Sequence, residues 1–226
     1  MSILIAIPAR GGSKRLPSKN ILPLNGKPMI IYTIEAAQRA NITKNIWVCT
    51  DNDEIAEISK KTGAKVYRIP DDMANDDVSS TVPCLALNSY LKEKNKIFQY
   101  IFNLQPTSPL RTSEDIISSM DIMGKDNADF LVSLTEIDPH YFHWGMKKKE
   151  DVWTMYFEDK YMKERIYLEK IYRPNGAIKL ARTDKLVEKG NFFGDNMTVH
   201  FMPDERSIHV GTDFDFKCAD GLLKWE

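Results

Sequence analysis

An apolar strand that runs without a linker into a basic, glycine-containing loop constrains this chain more than any other stretch. Ile5-Ala6-Ile7-Pro8 is of strand type, and the loop from Ala9 to Asn20 holds Gly11, Gly12 and four cations, Arg10, Lys14, Arg15 and Lys19. Adjacent glycines let backbone N–H groups turn toward a ligand, and cations spaced along one loop neutralise several phosphate oxygens at once. Taken alone, such a loop is more often a solvated basic turn. Position favours the anion site, because a loop leaving the first strand of an α/β sheet lies at the carboxyl ends of the strands, where such folds bind ligands.

The rest of the chain supplies that sheet. Residues 28–37 repeat apolar positions at helical spacing behind a proline suited to a first turn. Residues 45–51 read as a buried strand ending in Asp51, 53–61 as a helix stopped by Gly63, and 65–69 as a third strand. Ser80 is available to cap a helix over the next residues, 100–104 form a fourth strand, and Thr112 or Ser113 caps the helix after it. This alternation predicts a Rossmann-like α/β fold, a doubly wound, mostly parallel sheet with helices on both faces, through Leu134. Residues 139–172 break the rhythm and are dense in aromatics, which predicts an inserted dimerisation arm within a single nucleotide-handling domain spanning 1–226. The sheet is expected to resume at 176–180 and 197–201, and a closing helix to follow from Phe214. Asn175-Gly176 alone reads as a hairpin turn.

Composition narrows the ligand. A net charge of −1 with dispersed basic residues gives no nucleic-acid surface, and no apolar run approaches a membrane span. Cys49, Cys84 and Cys218 are widely spaced, which argues against disulfides or a zinc site and suits a reducing, cytoplasmic setting. A small anionic ligand is the expectation. The P-loop signature and the G-x-G-x-x-G fingerprint are both absent.

Three ordered segments point elsewhere: Ala9-Arg10-Gly11-Gly12-Ser13-Lys14 with Pro17, Lys19 and Asn20; Leu104-Gln105-Pro106-Thr107-Ser108-Pro109-Leu110-Arg111; and Arg173-Pro174-Asn175-Gly176-Ala177. Together they resemble the acylneuraminate cytidylyltransferases, the CMP-sialic acid synthetase family, over nearly the whole chain. The resemblance implies transfer of CMP from CTP to the anomeric hydroxyl of a nonulosonic acid, with pyrophosphate released. It implies that Arg10, Ser13, Lys14 and Lys19 surround the triphosphate on the Gly11-Gly12 loop, and that Asn20 and Ser80 read the nucleoside. It further implies that Gln105, Arg173, Asn175, Phe192 and Phe193 face the sugar, joined by Arg165 from the neighbouring subunit of a homodimer.

Departures from the family pattern qualify this. Arg68-Ile69-Pro70 stands where relatives carry Arg-Pro, and Lys179 stands where some carry a sugar-facing tyrosine. Near the C-terminus His209-Val210-Gly211 replaces the two magnesium-binding aspartates, leaving Asp213 or Asp215 as substitute Mg2+ ligands, although Asp215 equally suits a helix N-terminus. Legionaminic, pseudaminic or Kdo-type acceptors stay open within the enzyme class. Outside it stands a CTP-binding protein that has lost catalysis.

Overall fold

The computed structural model describes residues 1–75 and 77–225; the side chain of Arg165 also lies outside the described set. Elements follow in the order β1 (Ile3–Pro8), a small hairpin of β2 (Pro23–Leu24) and β3 (Lys27–Pro28), α1 (Met29–Ala40), β4 (Ile46–Thr50), α2 (Asp53–Lys61) and β5 (Lys65–Arg68). Next come α3 (Thr81–Glu93), β6 (Tyr100–Asn103), α4 (Ser113–Lys125), β7 (Phe130–Ile137), α5 (Pro139–His143), β8 (Met146–Lys149) and β9 (Val152–Met155). The chain closes with β10 (Ile171–Arg182), α6 (Thr183–Lys189), β11 (Met197–Phe201) and α7 (Asp213–Leu223).

Seven strands form one sheet in the order β11-β7-β10-β6-β1-β4-β5. Every neighbouring pair is parallel except the two made by β10, which runs antiparallel to both β6 and β7. Burial on both faces explains the near-continuous apolar runs of the central strands. Ile5, Ile7, Val48 and Phe102 meet Ile30 and Ile34 of α1 and Ile116 of α4 on one face. Leu4, Ala6 and Ile101 meet Leu87 and Leu91 of α3, Leu186 of α6 and Phe192 on the other. The doubly wound architecture is therefore as the alternation predicts.

Local details decide one reading and correct two. Thr112 does cap α4, in a capping box with Asp115. Ser80 does not cap α3: its own backbone is helical, and its hydroxyl turns sideways to accept from Asn103 Nδ2 at 3.0 Å and Gln105 Nε2 at 2.9 Å. Asn175-Gly176 is no hairpin turn either. It lies inside the twelve-residue β10, at a register irregularity between Pro174 and Lys179, where Gly176 takes a φ of 75°. Residues 139–172 hold α5, the β8–β9 hairpin and two short 3-10 turns, and end within β10. They display Tyr141, Trp153, Ile166 and Tyr167 to solvent.

Candidate active site

The basic loop leaves the carboxyl end of β1 and is held from beneath by β4. Ala9 extends the strand pairing by donating to Cys49 O at 2.9 Å, and the Gly11 N–H donates to Asp51 Oδ1 at 2.8 Å. Gly11 is required there, since a Cβ would stand 2.8 Å from Asn52 Cβ; at Gly12 a Cβ would meet nothing within 4 Å. Asn20, buried on a 3-10 turn, closes the far end by donating from Nδ2 to Arg10 O at 2.9 Å. A ten-residue basic segment is thus tied at both ends.

One cleft opens beside it. Arg10, Ser13, Lys19 and Asn20 line one side, and Ser80 and Gln105 the other. His209 also faces this cleft. Gly176 makes room for it, because a Cβ there would lie 2.7 Å from the ring's Nδ1. The same nitrogen is 3.4 Å from the hydroxyls of Thr107 and Ser108, and Val210 N donates to Thr107 O at 2.7 Å. His209 keeps part of its surface open to solvent, while the protein packed around the ring is dense enough to disfavour its charged form. Burial first, then the cations Lys19, Arg173 and Lys179, push its pKa down to about 4 against the opposing pull of Asp215, so the imidazole is neutral at pH 7.

The Gln105–Arg111 loop owes its shape to a buried guanidinium. Arg111 donates to Ala177 O at 2.7 Å, to Gln105 O at 3.3 Å and to Thr33 Oγ1 at 2.7 Å, stapling the loop to β10 and α1. Burial lowers its pKa to about 9, which leaves it charged at neutral pH.

Residues 4–188 match the family model described as cytidylyltransferase. The chain is 31% identical to the pseudaminic acid cytidylyltransferase of Campylobacter jejuni over a 227-residue alignment covering 99% of this chain and 97% of that protein. This chain belongs to the cytidylyltransferase family. It is 33% identical to the N-acylneuraminate cytidylyltransferase of Streptococcus agalactiae, covering 99% of this chain but 54% of that longer protein. A solved CMP:2-keto-3-deoxy-manno-octonic acid synthetase complexed with CTP shares the fold, with a TM-score of 0.72 at 18% identity, covering 100% of this chain and 99% of that one. A cytidylyltransferase is an enzyme, a nucleotidyltransferase. No helix among the described residues is long and apolar enough to cross a membrane.

The expected site residues divide. Arg10, Ser13, Lys19, Asn20, Ser80 and Gln105 come together around the cleft, with Gly11 and Gly12 in the loop above it; Lys14 and Arg15 are exposed on that loop, and Arg173 is exposed on β10. Asn175 does not face a ligand. It is buried, accepts from Ser133 Oγ at 2.5 Å and from Ala177 N at 3.1 Å, and donates to Ser207 Oγ at 2.9 Å. Phe192 is core, 1% exposed between α3 and α6, whereas its neighbour Phe193 is 43% exposed. Arg68 turns away from the cleft to the Asp51 carbonyl and to Asp53, 3.2 Å away. Arg165 lies outside the described side chains. The resemblance puts His209 at a metal-ligand position, where it suits magnesium poorly, and Asp51 reads only as the acid that ends a strand; the structure sets His209 in the cleft lining and Asp51 beneath the loop at Gly11.

The proposed carboxylate pair for magnesium does not fit. Asp213 is exposed and 2.6 Å from Lys217 Nζ. Asp215 belongs to the capping box of α7: its Oδ2 accepts from the N–H groups of Gly211 at 3.0 Å and Thr212 at 2.8 Å and from the Thr212 hydroxyl at 2.8 Å. Burial raises its pKa, but these hydrogen bonds outweigh burial and leave it below the usual range. Among the described residues no group of three or more His, Cys, Asp or Glu is placed to hold a metal ion.

Proposed function

We propose that this cytidylyltransferase transfers CMP from CTP to the anomeric hydroxyl of a nonulosonic acid of the sialic or pseudaminic type. The hydroxyl oxygen forms a bond to the α-phosphorus, the bond to the β-phosphate bridge breaks, pyrophosphate leaves, and the hydroxyl proton passes to solvent. The observation that carries the reading is the convergence of Arg10, Ser13, Lys19 and Asn20 with Ser80 and Gln105 around one cleft. Triphosphate on the loop side and acceptor on the Gln105 side then meet across it. Because CTP brings about four negative charges and the leaving group gains more, the chain's share is positioning and charge neutralisation, the part a tied, cation-bearing loop performs.

Magnesium would arrive with the triphosphate as its counter-ion, because neither Asp213 nor Asp215 is placed to hold it. The enzyme works as a homodimer, with the aromatic segment 139–172 at the interface and Arg165 reaching the neighbour's acceptor site. The exposed aromatic side chains of that segment support the interface.

Incubation with CTP, magnesium and a panel of sialic, legionaminic, pseudaminic and Kdo-type acids tests the reading through pyrophosphate release. Turnover on one or more nonulosonic acids is expected, and Lys19→Met should weaken CTP binding on the order of 30-fold or more. Calorimetric CTP binding with no turnover on any acid sinks the enzymatic assignment and leaves a nucleotide-binding protein.

A further inference from the structure

Lys179 stands on β10 opposite Asn103 of β6, with its ammonium 6.0 Å from the centre of the Phe193 ring. Among the described residues its one hydrogen-bond partner is weak: Nζ lies 3.5 Å from Ser80 Oγ, at the outer limit of a hydrogen bond. That hydroxyl already accepts from Asn103 and Gln105, which fills both of its lone pairs. The charge that acts most directly on the ammonium is that of Cys84, and burial pushes this thiol up to about 12, so at pH 7 it is neutral and gives no counter-charge. Burial, in turn, holds the Lys179 pKa below its ordinary value. An ammonium drawn out of water without an anion is costly unless a ligand supplies one. The surroundings are prepared for that ligand, since Ser80 has its hydrogen left to donate and Arg173 extends the positive region around His209.

We propose that Lys179 is the acceptor-reading cation of this enzyme, its ammonium receiving the carboxylate of the incoming sugar acid, and that Ser80, which the resemblance assigns to the nucleoside, instead gives its hydroxyl to that carboxylate as a second donor. The inference rests on the functional reading above and deepens it: a neutral sugar would leave the ammonium desolvated and unpaired, so the site selects acids. Phe193, on whose ring face the ammonium sits, forms the apolar wall beside that carboxylate.

The test compares Lys179→Met and Lys179→Arg with the wild type, using the most active nonulosonic acid and its methyl ester as acceptors and CTP as the control substrate. Lys179→Met should raise KM for the acid by ~30-fold or more, with the methyl ester used no worse than by the wild type and KM for CTP unmoved. Lys179→Arg should recover most of the loss. An unchanged KM for the acid, an equal loss on acid and ester, or a parallel rise in KM for CTP overturns the assignment. Wild-type protein that binds CTP but turns over no nonulosonic acid defeats the functional reading itself, and the inference with it.

Discussion

A neutral imidazole among three cations makes proton uptake part of nucleotide binding. The pKa of His209 in the fold lies below the ordinary histidine value, so as pH falls from about 6.5 the unfolded chain takes up its proton first. Stability from the neutral ring is then present above that pH and lost as pH falls toward about 4. A bound triphosphate offsets Lys19 and raises this pKa again. Calorimetry of CTP binding at pH 5.5 in buffers of different ionisation enthalpy should therefore show more proton uptake for wild type than for His209→Gln, and equal uptake would remove the coupling. The two loop glycines make a second residue-scale contrast. Gly11→Ala forces a Cβ against Asn52 and should cost about 1–3 kcal/mol with loss of CTP affinity, while Gly12→Ala has open space and should change neither, as melting and binding measurements will show. At this scale the cationic loop was legible because its chemistry is local. Asn175 was misread because facing is set by strand register, and the irregularity in β10 turns it inward; Phe192 was misread because it lies in the loop between α6 and β11, where no periodicity says which side chain enters the core.

The helix α7 shows how an element decides between two roles for the same acid. Its capping box occupies one Asp215 oxygen, so Asp215→Ala should destabilise the fold by about 1 kcal/mol in urea denaturation. Asp213, paired with Lys217 on the surface, should tolerate alanine without a measurable change in stability or in magnesium dependence. A rise in magnesium demand in Asp213→Ala would restore it as a ligand. The helix was legible in sequence, and so was the dipole-favoured role of Asp215. The parallel strands were legible too, because helix–strand alternation implies right-handed crossovers. The direction of β10 was not: chain direction leaves no mark on a local apolar pattern, and its first residues belong to the segment that reads as an arm.

Across the whole molecule, the aromatic segment raises the question of assembly. Sedimentation should give about twice the monomer mass, and Trp153→Glu, which puts a charge on an exposed aromatic of that segment, should shift the enzyme toward monomer. If the neighbour's Arg165 completes each site, mixing the impaired Arg165→Ala and Lys19→Met proteins at limiting CTP should give more activity than the two assayed apart, through mixed dimers. No recovery on exchange would confine each site to one chain. β10 gives this arrangement a consequence of a different kind. One strand begins at the aromatic segment, carries Arg173 and Lys179, and ends in the core, whereas the nucleotide loop hangs from β1 on the other side of β6. If the aromatic segment pairs subunits and Lys179 reads the acceptor, these two traits lie together on one contiguous stretch of gene, apart from the β1 loop. Exchange of residues 130–211 between relatives, a double crossover, should therefore shift KM for the acceptor more than KM for CTP.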